Sequence, residues 1–171
     1  MGPCAGGATY APALTDAVFM VEGTSNAFIT GPGVVETVTG ERVTKAELGG
    51  AGTHTAKSGF AHVSQAEEKA VLDEITRLLR YLPDNCGESP PVVDSSDPPD
   101  PETPALGEVV PSDLSKPYDA RRVVRSVADV DSFDELRAGW ARNLITGLAR
   151  LDGEPVGVLA NQPRVSAGTL D

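Results

Sequence analysis

The sequence opens with MGPCAGGATYAPALTD, residues 1–16, and this stretch decides how the fold is interpreted. Gly6 and Gly7 lie between small residues, just before a segment that can start a helix. Two adjacent glycines let a substrate lie directly on the backbone, because no Cβ stands in the way. The N–H groups at a helix start are unpaired and carry partial positive charge. The pair can therefore stabilise an oxygen atom that gains negative charge during a reaction.

Two short apolar runs follow, at residues 17–21 and 26–30, and glycines after each of them favour strands. Further on, Ser64 and Glu67 have the spacing of a helix-capping box. The apolar residues behind them recur at helical spacing, which predicts a helix over residues 65–81 that ends before Pro83.

Residues 83–115 differ in composition from the rest of the chain. They hold eight of the 14 prolines and eight acidic residues, with no lysine or arginine. Proline removes backbone donors and the acids repel one another, so neither helix nor sheet is favoured here. We expect an extended linker over residues 87–104, with one domain over 1–86 and another over 105–171.

Behind this linker, Asp119 can cap a helix that runs through Val127. Ser132 and Glu135 form a second capping-box pattern, which predicts a helix over residues 133–139. The last two runs, at 143–150 and 155–161, predict strands around an Asp-Gly hairpin turn. Helices and apolar strands thus alternate, which is typical of an α/β fold.

The net charge of −11 argues against nucleic acid as the main partner. Two cysteines, Cys4 and Cys86, without a CxxC pair and with only two histidines, predict no metal site. No apolar run approaches the roughly 20 residues that span a bilayer, and the start shows no signal peptide. We therefore expect a cytoplasmic protein with no membrane partner.

Several local signatures occur in one order along the chain: Gly2–Ala8, Pro12–Asp16, Phe28–Pro32, Glu47–Ala51 with His54, Ser58–Gly59, Tyr81–Pro83, Tyr118–Asp119 and Asn161–Pro163. This order closely resembles the β subunit of biotin-dependent acyl-CoA carboxylases, such as the propionyl-CoA carboxylase β chain. The resemblance runs essentially from end to end.

The resemblance implies a crotonase (ClpP/crotonase-like) carboxyltransferase fold, here as fragments of two tandem domains joined by the Pro/acidic linker. In this family six β subunits assemble into a hexamer, acyl-CoA binds mainly on the N domain, and carboxybiotin approaches from the C domain. Biotin is carried by a partner, the biotin carboxylase/biotin carrier subunit, so no cofactor is expected on this chain covalently. The activity implied is transfer of CO2 from carboxybiotin to the α-carbon of propionyl-CoA or acetyl-CoA.

Carried over to this chain, the N–H groups of Gly6 and Gly7 form the oxyanion hole for the thioester oxygen of the enolate. Ala5 and Ala8, on either side, are expected near the substrate. A family β chain is roughly three times as long, so residues 1–86 match the end of the N domain and residues 105–171 the start of the C domain. The second oxyanion hole lies in the part that is not matched.

Two alternatives stay open: a catalytically inactive fragment or assembly piece, and a biotin-dependent methylmalonyl-CoA decarboxylase or transcarboxylase relative. Other residues have two interpretations each. Cys4 is expected to pack rather than to act as a nucleophile, and His54 to make structural hydrogen bonds rather than to line the active site. The glycine-rich segment 47–59 is a candidate substrate loop. Arg121, Arg122 and Arg125 are expected on a solvated helix face rather than at CoA phosphates. Asn161 and Gln162 are expected to have structural roles.

Overall fold

A computed structural model describes residues 1–95, 97–98, 106–113 and 116–170. The chain divides into two units, Met1–Thr76 and Arg77–Asp171, each with its own sheets.

The first unit is built on two pairs of parallel strands. Strand β1 (Pro3–Ala5) pairs with β3 (Asn26–Phe28), and β2 (Phe19–Val21) pairs with β4 (Val63–Gln65). Both apolar runs predicted to be strands are confirmed as β2 and β3, although each strand is shorter than its run. Parallel pairs need crossover connections, and here those connections contain the helices.

Four helices of the first unit lie between the strands: α1 (Tyr10–Ala13), α2 (Pro32–Thr39), α3 (Lys45–Gly49) and α4 (Ala51–Thr53). Helix α3 begins with a capping box in which the Glu47 N–H donates to the Thr44 hydroxyl at 3.2 Å. The Thr44 N–H donates back to the Glu47 carboxylate at 2.9 Å. Hydrogen bonds from the Thr44 backbone and side chain lower the pKa of Glu47.

The capping box predicted at Ser64 is wrong. Ser64 lies inside β4, paired with Met20, and its hydroxyl donates to the Glu22 carboxylate at 3.3 Å. Helix α5 (Glu68–Leu79) therefore begins after residue 65 and ends before Pro83. The pairing of β4 with β2 outweighs the local preference of a serine for a helix start.

Small side chains form the core of the first unit, where Met20 packs with Ala27, Ala51 and Ala61. The backbone also approaches very closely there: a Cβ added at Gly49 would lie 2.1 Å from the Ala27 carbonyl oxygen. Real Cβ atoms do not come that near, so this contact requires glycine. The contact holds helix α3 directly against strand β3.

The second unit contains an antiparallel sheet of β5 (Asp134–Leu136), β6 (Leu144–Leu151) and β7 (Glu154–Asn161). The predicted hairpin is confirmed: Asp152 and Gly153 both have positive φ, 52° and 78°, as a two-residue type I′ turn requires.

The helix predicted over residues 133–139 is wrong, because this segment pairs with β6 as strand β5. A Cβ added at Gly147 of β6 would lie 2.4 Å from the Asp134 carbonyl oxygen, so the two strands are in close contact. As at Ser64, pairing with a distant strand outweighs a local capping pattern at Ser132.

Two helices accompany this sheet, α6 (Leu106–Val109) and α7 (Ala120–Val127). Asp119 caps α7 as predicted, because its carboxylate accepts from the Arg121 N–H at 3.1 Å. The same carboxylate accepts at 2.7 Å from Gln162, which is only 1% exposed. Burial raises the pKa of Asp119, but the hydrogen bonds from Gln162 and the Arg121 backbone, together with the charges of Arg121 and Arg164, lower it overall.

Arg150 is buried and organises the other end of the sheet. Its guanidinium donates to the carbonyls of Arg80 at 2.7 Å, Pro91 at 2.8 Å and Gly153 at 2.6 Å. It also lies over the Tyr81 ring, 4.9 Å from the ring centroid. Burial, followed by the effect of the nearby Asp134 carboxylate, raises the pKa of Tyr81 to about 12.

Arg80 and Tyr81 both contact Arg150 within the second unit. The predicted first domain, residues 1–86, therefore includes residues of both units. The start of the predicted linker 87–104 lies along the hairpin, where the Val93 N–H donates to the Gly153 carbonyl at 3.2 Å. Residues 96 and 99–104 of that linker lie outside the described residues. The domain boundaries stay predictions.

The Gly49 contact predicts a large loss of stability on adding one methyl group. We expect Gly49→Ala to lower the free energy of unfolding of the 171-residue chain by about 1–3 kcal/mol, because the Ala27 carbonyl must move. Gly52→Ala is the matched control, since its Cβ meets nothing within 4 Å. Urea unfolding followed by circular dichroism measures both; equal effects of the two substitutions would contradict the close contact.

Asp119 predicts an acid-dependent contribution to stability. Because its folded pKa is lowered, the charged form stabilises the fold above the unfolded pKa, and this stabilisation is lost as pH falls through the folded pKa. Asn also caps helices well but does not titrate. Wild type should therefore exceed Asp119→Asn in stability at neutral pH, and the difference should shrink in acid. A difference that is constant between pH 7 and pH 2 would show that the carboxylate charge is not responsible.

Candidate functional site

The glycine pair lies at an exposed turn of the first unit. Strand β1 ends at Ala5, and residues Gly6–Thr9 form a tight helical turn that runs into α1. Gly6 has a φ of 65°, a conformation that residues with a side chain rarely adopt. Gly7 has ordinary helical backbone. A Cβ added at either glycine meets nothing within 4 Å. The turn is therefore open on the side where a side chain would stand.

The backbone N–H groups of this turn are the groups that could bind a negatively charged atom. The first N–H groups of a helical turn have no partner inside it, and here these belong to Gly6 and Gly7. The Gly7 carbonyl is already used, since it accepts from the Tyr10 N–H. Ala5 and Ala8 are exposed on either side and are small enough to leave the turn accessible. Such a turn can hold a carbonyl oxygen as it becomes negatively charged.

Thr9 anchors the turn, and sequence reasoning missed it. Its side chain is buried, and its hydroxyl lies 3.2 Å from both the Cys4 and the Phe28 carbonyl oxygens. These carbonyls belong to β1 and β3, so the hydroxyl ties the turn to both strands. The only hint in the sequence is a polar residue two positions after the glycine pair.

The glycine-rich segment 47–59 packs on strand β3 rather than on the glycine turn itself. It contains α3, α4 and a wide helical turn, His54–Ser58, that ends at Gly59 with a φ of 67°. An open depression of about 530 Å³ borders this segment and is lined in part by Glu22, Asn26 and Lys57. The role of segment 47–59 as a substrate loop stays a prediction.

Both ring nitrogens of His54 are engaged, as expected for a structural role. Nε2 lies 2.6 Å from the Ala27 carbonyl oxygen, and Nδ1 lies 2.8 Å from the Ser58 hydroxyl. The ring also packs at a tilt against Phe60, with 4.7 Å between centroids.

The remaining candidates of the first unit offer little chemistry. Cys4 is half-buried in β1 and makes no disulfide, and Cys86 of the second unit is an exposed thiol. The described residues contain no group of three or more histidine, cysteine or acidic side chains that could hold a metal ion. Within the same residues, no helix is long and apolar enough to cross a membrane.

In the second unit, Arg121 is held by a bidentate ion pair with Glu135, with both N–O distances at 2.6 Å. Arg122 and Arg125 are exposed on α7. An open cavity of about 1070 Å³ has arginines in its wall, but acidic residues line it as well: Asp129, Asp131 and Asp134. The mixed charges give no clear preference for a phosphate group.

The two amides at the end of β7 have structural roles, as predicted. The Asn161 side chain donates to the Gly168 carbonyl at 2.6 Å. Gln162 joins β7 to the start of α7, because its side-chain oxygen accepts from the Ala120 N–H and its nitrogen donates to Asp119.

Known proteins are similar to this chain in sequence and in fold over nearly its whole length. The propionyl-CoA carboxylase carboxyltransferase subunit of Haloferax mediterranei is 54% identical over all 171 residues, which cover 33% of that relative. The methylmalonyl-CoA decarboxylase subunit alpha of Veillonella parvula is 47% identical, with 34% of its length covered. A crystal structure of transcarboxylase 12S, a hexamer with methylmalonyl-CoA bound, has a TM-score of 0.95 at 44% identity over 99% of the chain and 33% of that protein.

The chain thus spans about a third of the length of the relatives it matches. The similarity to transcarboxylase 12S shows an α/β carboxyltransferase fold. The carboxyl transferase domain family matches residues 1–171, and the chain therefore belongs to that family.

Proposed function

We propose that this chain is part of an acyl-CoA carboxylase carboxyltransferase that adds a carboxyl group to the α-carbon of propionyl-CoA or acetyl-CoA. The observation that carries the proposal is the Gly6–Gly7 turn. It is exposed, its donors are at a helical start, and a Cβ at either position would project into open space. This turn lies in a segment that is 54% identical to a propionyl-CoA carboxylase subunit.

The reaction requires hydrogen-bond donors that stabilise negative charge on the thioester oxygen. Removing the α-proton of an acyl-CoA turns its carbonyl into an enolate, and negative charge builds on the oxygen. Two N–H groups aimed at that oxygen, those of Gly6 and Gly7, would stabilise this charge before carboxylation. The small side chains of Ala5 and Ala8 would let the acyl group and the pantetheine arm lie against the backbone.

Biotin is proposed as the carboxyl carrier, held by a partner subunit and not by this chain. Carboxybiotin would release the CO2, the biotin freed by that release would accept the α-proton, and the resulting enolate would attack the CO2. We further propose two tandem crotonase-like domains, a hexameric assembly and a cytoplasmic location for the whole protein. The hexameric assembly of transcarboxylase 12S supports this by analogy.

A segment exchange tests the activity. Residues 1–171 replace the matching third of the Haloferax mediterranei subunit, and the chimera is combined with that enzyme's biotin-carrying partner. We expect propionyl-CoA-dependent consumption of bicarbonate and ATP. A chimera that assembles to the parental size but shows no transfer would favour the inactive-fragment alternative. Activity only in the decarboxylation of methylmalonyl-CoA would favour the decarboxylase alternative.

Within that chimera, Gly7→Val tests the oxyanion hole. A Cβ at Gly7 would meet nothing within 4 Å, so we expect the fold to survive while the larger side chain displaces the thioester. We expect transfer to fall by about a hundred- to a thousand-fold, the usual effect of losing one such donor. Gly33→Val, in the exposed helix α2 and equally free of close neighbours, is the matched control and should stay active. Near-normal transfer by Gly7→Val would refute the assignment.

A further inference from the structure

His54 makes more tertiary connections than a surface histidine needs. Its backbone N–H donates to the Gly50 carbonyl at 3.1 Å, and its carbonyl accepts from the Ala61 N–H at 3.3 Å. Its ring bonds to Ala27 and Ser58. His54 therefore hydrogen-bonds both within the wide turn His54–Ser58 and to strand β3.

The ring bonds also settle which nitrogen carries the proton. A backbone carbonyl only accepts, so Nε2 must donate to Ala27. In the neutral ring, Nδ1 then accepts from the Ser58 hydroxyl, which fixes the orientation of the imidazole. The Nε2–H therefore donates to a carbonyl of strand β3, as the backbone N–H of a paired strand would.

Strand β3 transmits this constraint to the glycine turn. In the parallel pairing with β1, Ala27 is opposite Cys4 and Phe28 is opposite Ala5. Gly6 follows Ala5 directly, so the position of β3 determines where the turn begins. The His54 ring bonds to the Ala27 carbonyl at 2.6 Å, and the Gly49 backbone lies so close to the same oxygen that a Cβ would not fit between them.

We propose that His54 is a positioning residue: its Nε2–H holds the Ala27 carbonyl and thereby fixes, through β3 and β1, the direction of the Gly6 and Gly7 amides. This inference rests on the proposed role of the turn. His54 touches neither substrate nor reacting atoms in this scheme. Misplacing catalytic donors by about 1 Å commonly costs on the order of a hundred-fold in rate.

Three substitutions in the active chimera separate positioning from plain stability. His54→Phe keeps the ring but removes both nitrogens. His54→Gln places an amide N–H near the position of Nε2, whereas the shorter His54→Asn reaches only the position of Nδ1. We expect kcat of His54→Phe and His54→Asn to fall by about ten- to a hundred-fold, with little change in KM for the acyl-CoA, and His54→Gln to recover most of the loss.

The control is Phe60→Leu, which weakens the same core but keeps the histidine donor. It should lower Tm and leave kcat per folded enzyme unchanged. Equal kcat for the three His54 variants, or a kcat loss in Phe60→Leu as large as in His54→Phe, would overturn the inference.

Hydrogen exchange measured by mass spectrometry gives a readout that does not depend on activity. In His54→Phe, peptides that cover the paired strands β1 and β3 should exchange faster than in His54→Gln, while peptides from the β6–β7 hairpin should not change. Unaltered exchange in β1 and β3 would overturn the inference even if the chimera proved inactive. An active wild-type chimera whose Gly7→Val variant keeps its rate would instead refute the proposed function of the turn.

Discussion

The first unit depends on how closely the backbone at Gly49 approaches the Ala27 carbonyl of strand β3. An added Cβ there would lie 2.1 Å from the oxygen, so helix α3 rests on the strand with no side chain between them. The His54 ring bonds to the same carbonyl, and Ala27 itself is one of the small residues of the core. A rigid β3 in turn supports β1 and the exposed glycine turn, which combines an open surface with a firmly held base.

The second unit solves a different problem, because a charged side chain lies in its interior. Arg150 is 7% exposed, and burying a guanidinium is costly unless its donors are satisfied. Three backbone carbonyls and the face of Tyr81 meet that need. Two of those carbonyls belong to Arg80 and Pro91, which are distant from Arg150 in sequence and lie outside the sheet. The arginine therefore binds loop backbone to the sheet.

Sequence reasoning succeeded where a signal is strong and local. The Asp152–Gly153 hairpin and the helix capped by Asp119 were both predicted, because turn and cap chemistry act within a few residues. The capping patterns at Ser64 and Ser132 failed because strand pairing with distant residues overrides them. At the site, the open glycine turn could be anticipated, but its anchoring by Thr9 and its link to His54 connect residues far apart in sequence, and no local pattern reports such contacts.

The covering of the hairpin tip has a practical consequence for engineering. Two-residue hairpin tips are usually free for tags, labels or inserted peptides. At Gly153, however, an added Cβ would lie 1.8 Å from the Val93 carbonyl oxygen, and the Asp129 carboxylate accepts from the N–H groups of both turn residues. The segment after α2, where Glu41 and Arg42 are exposed, is therefore a better place for an attachment than the tip of this hairpin.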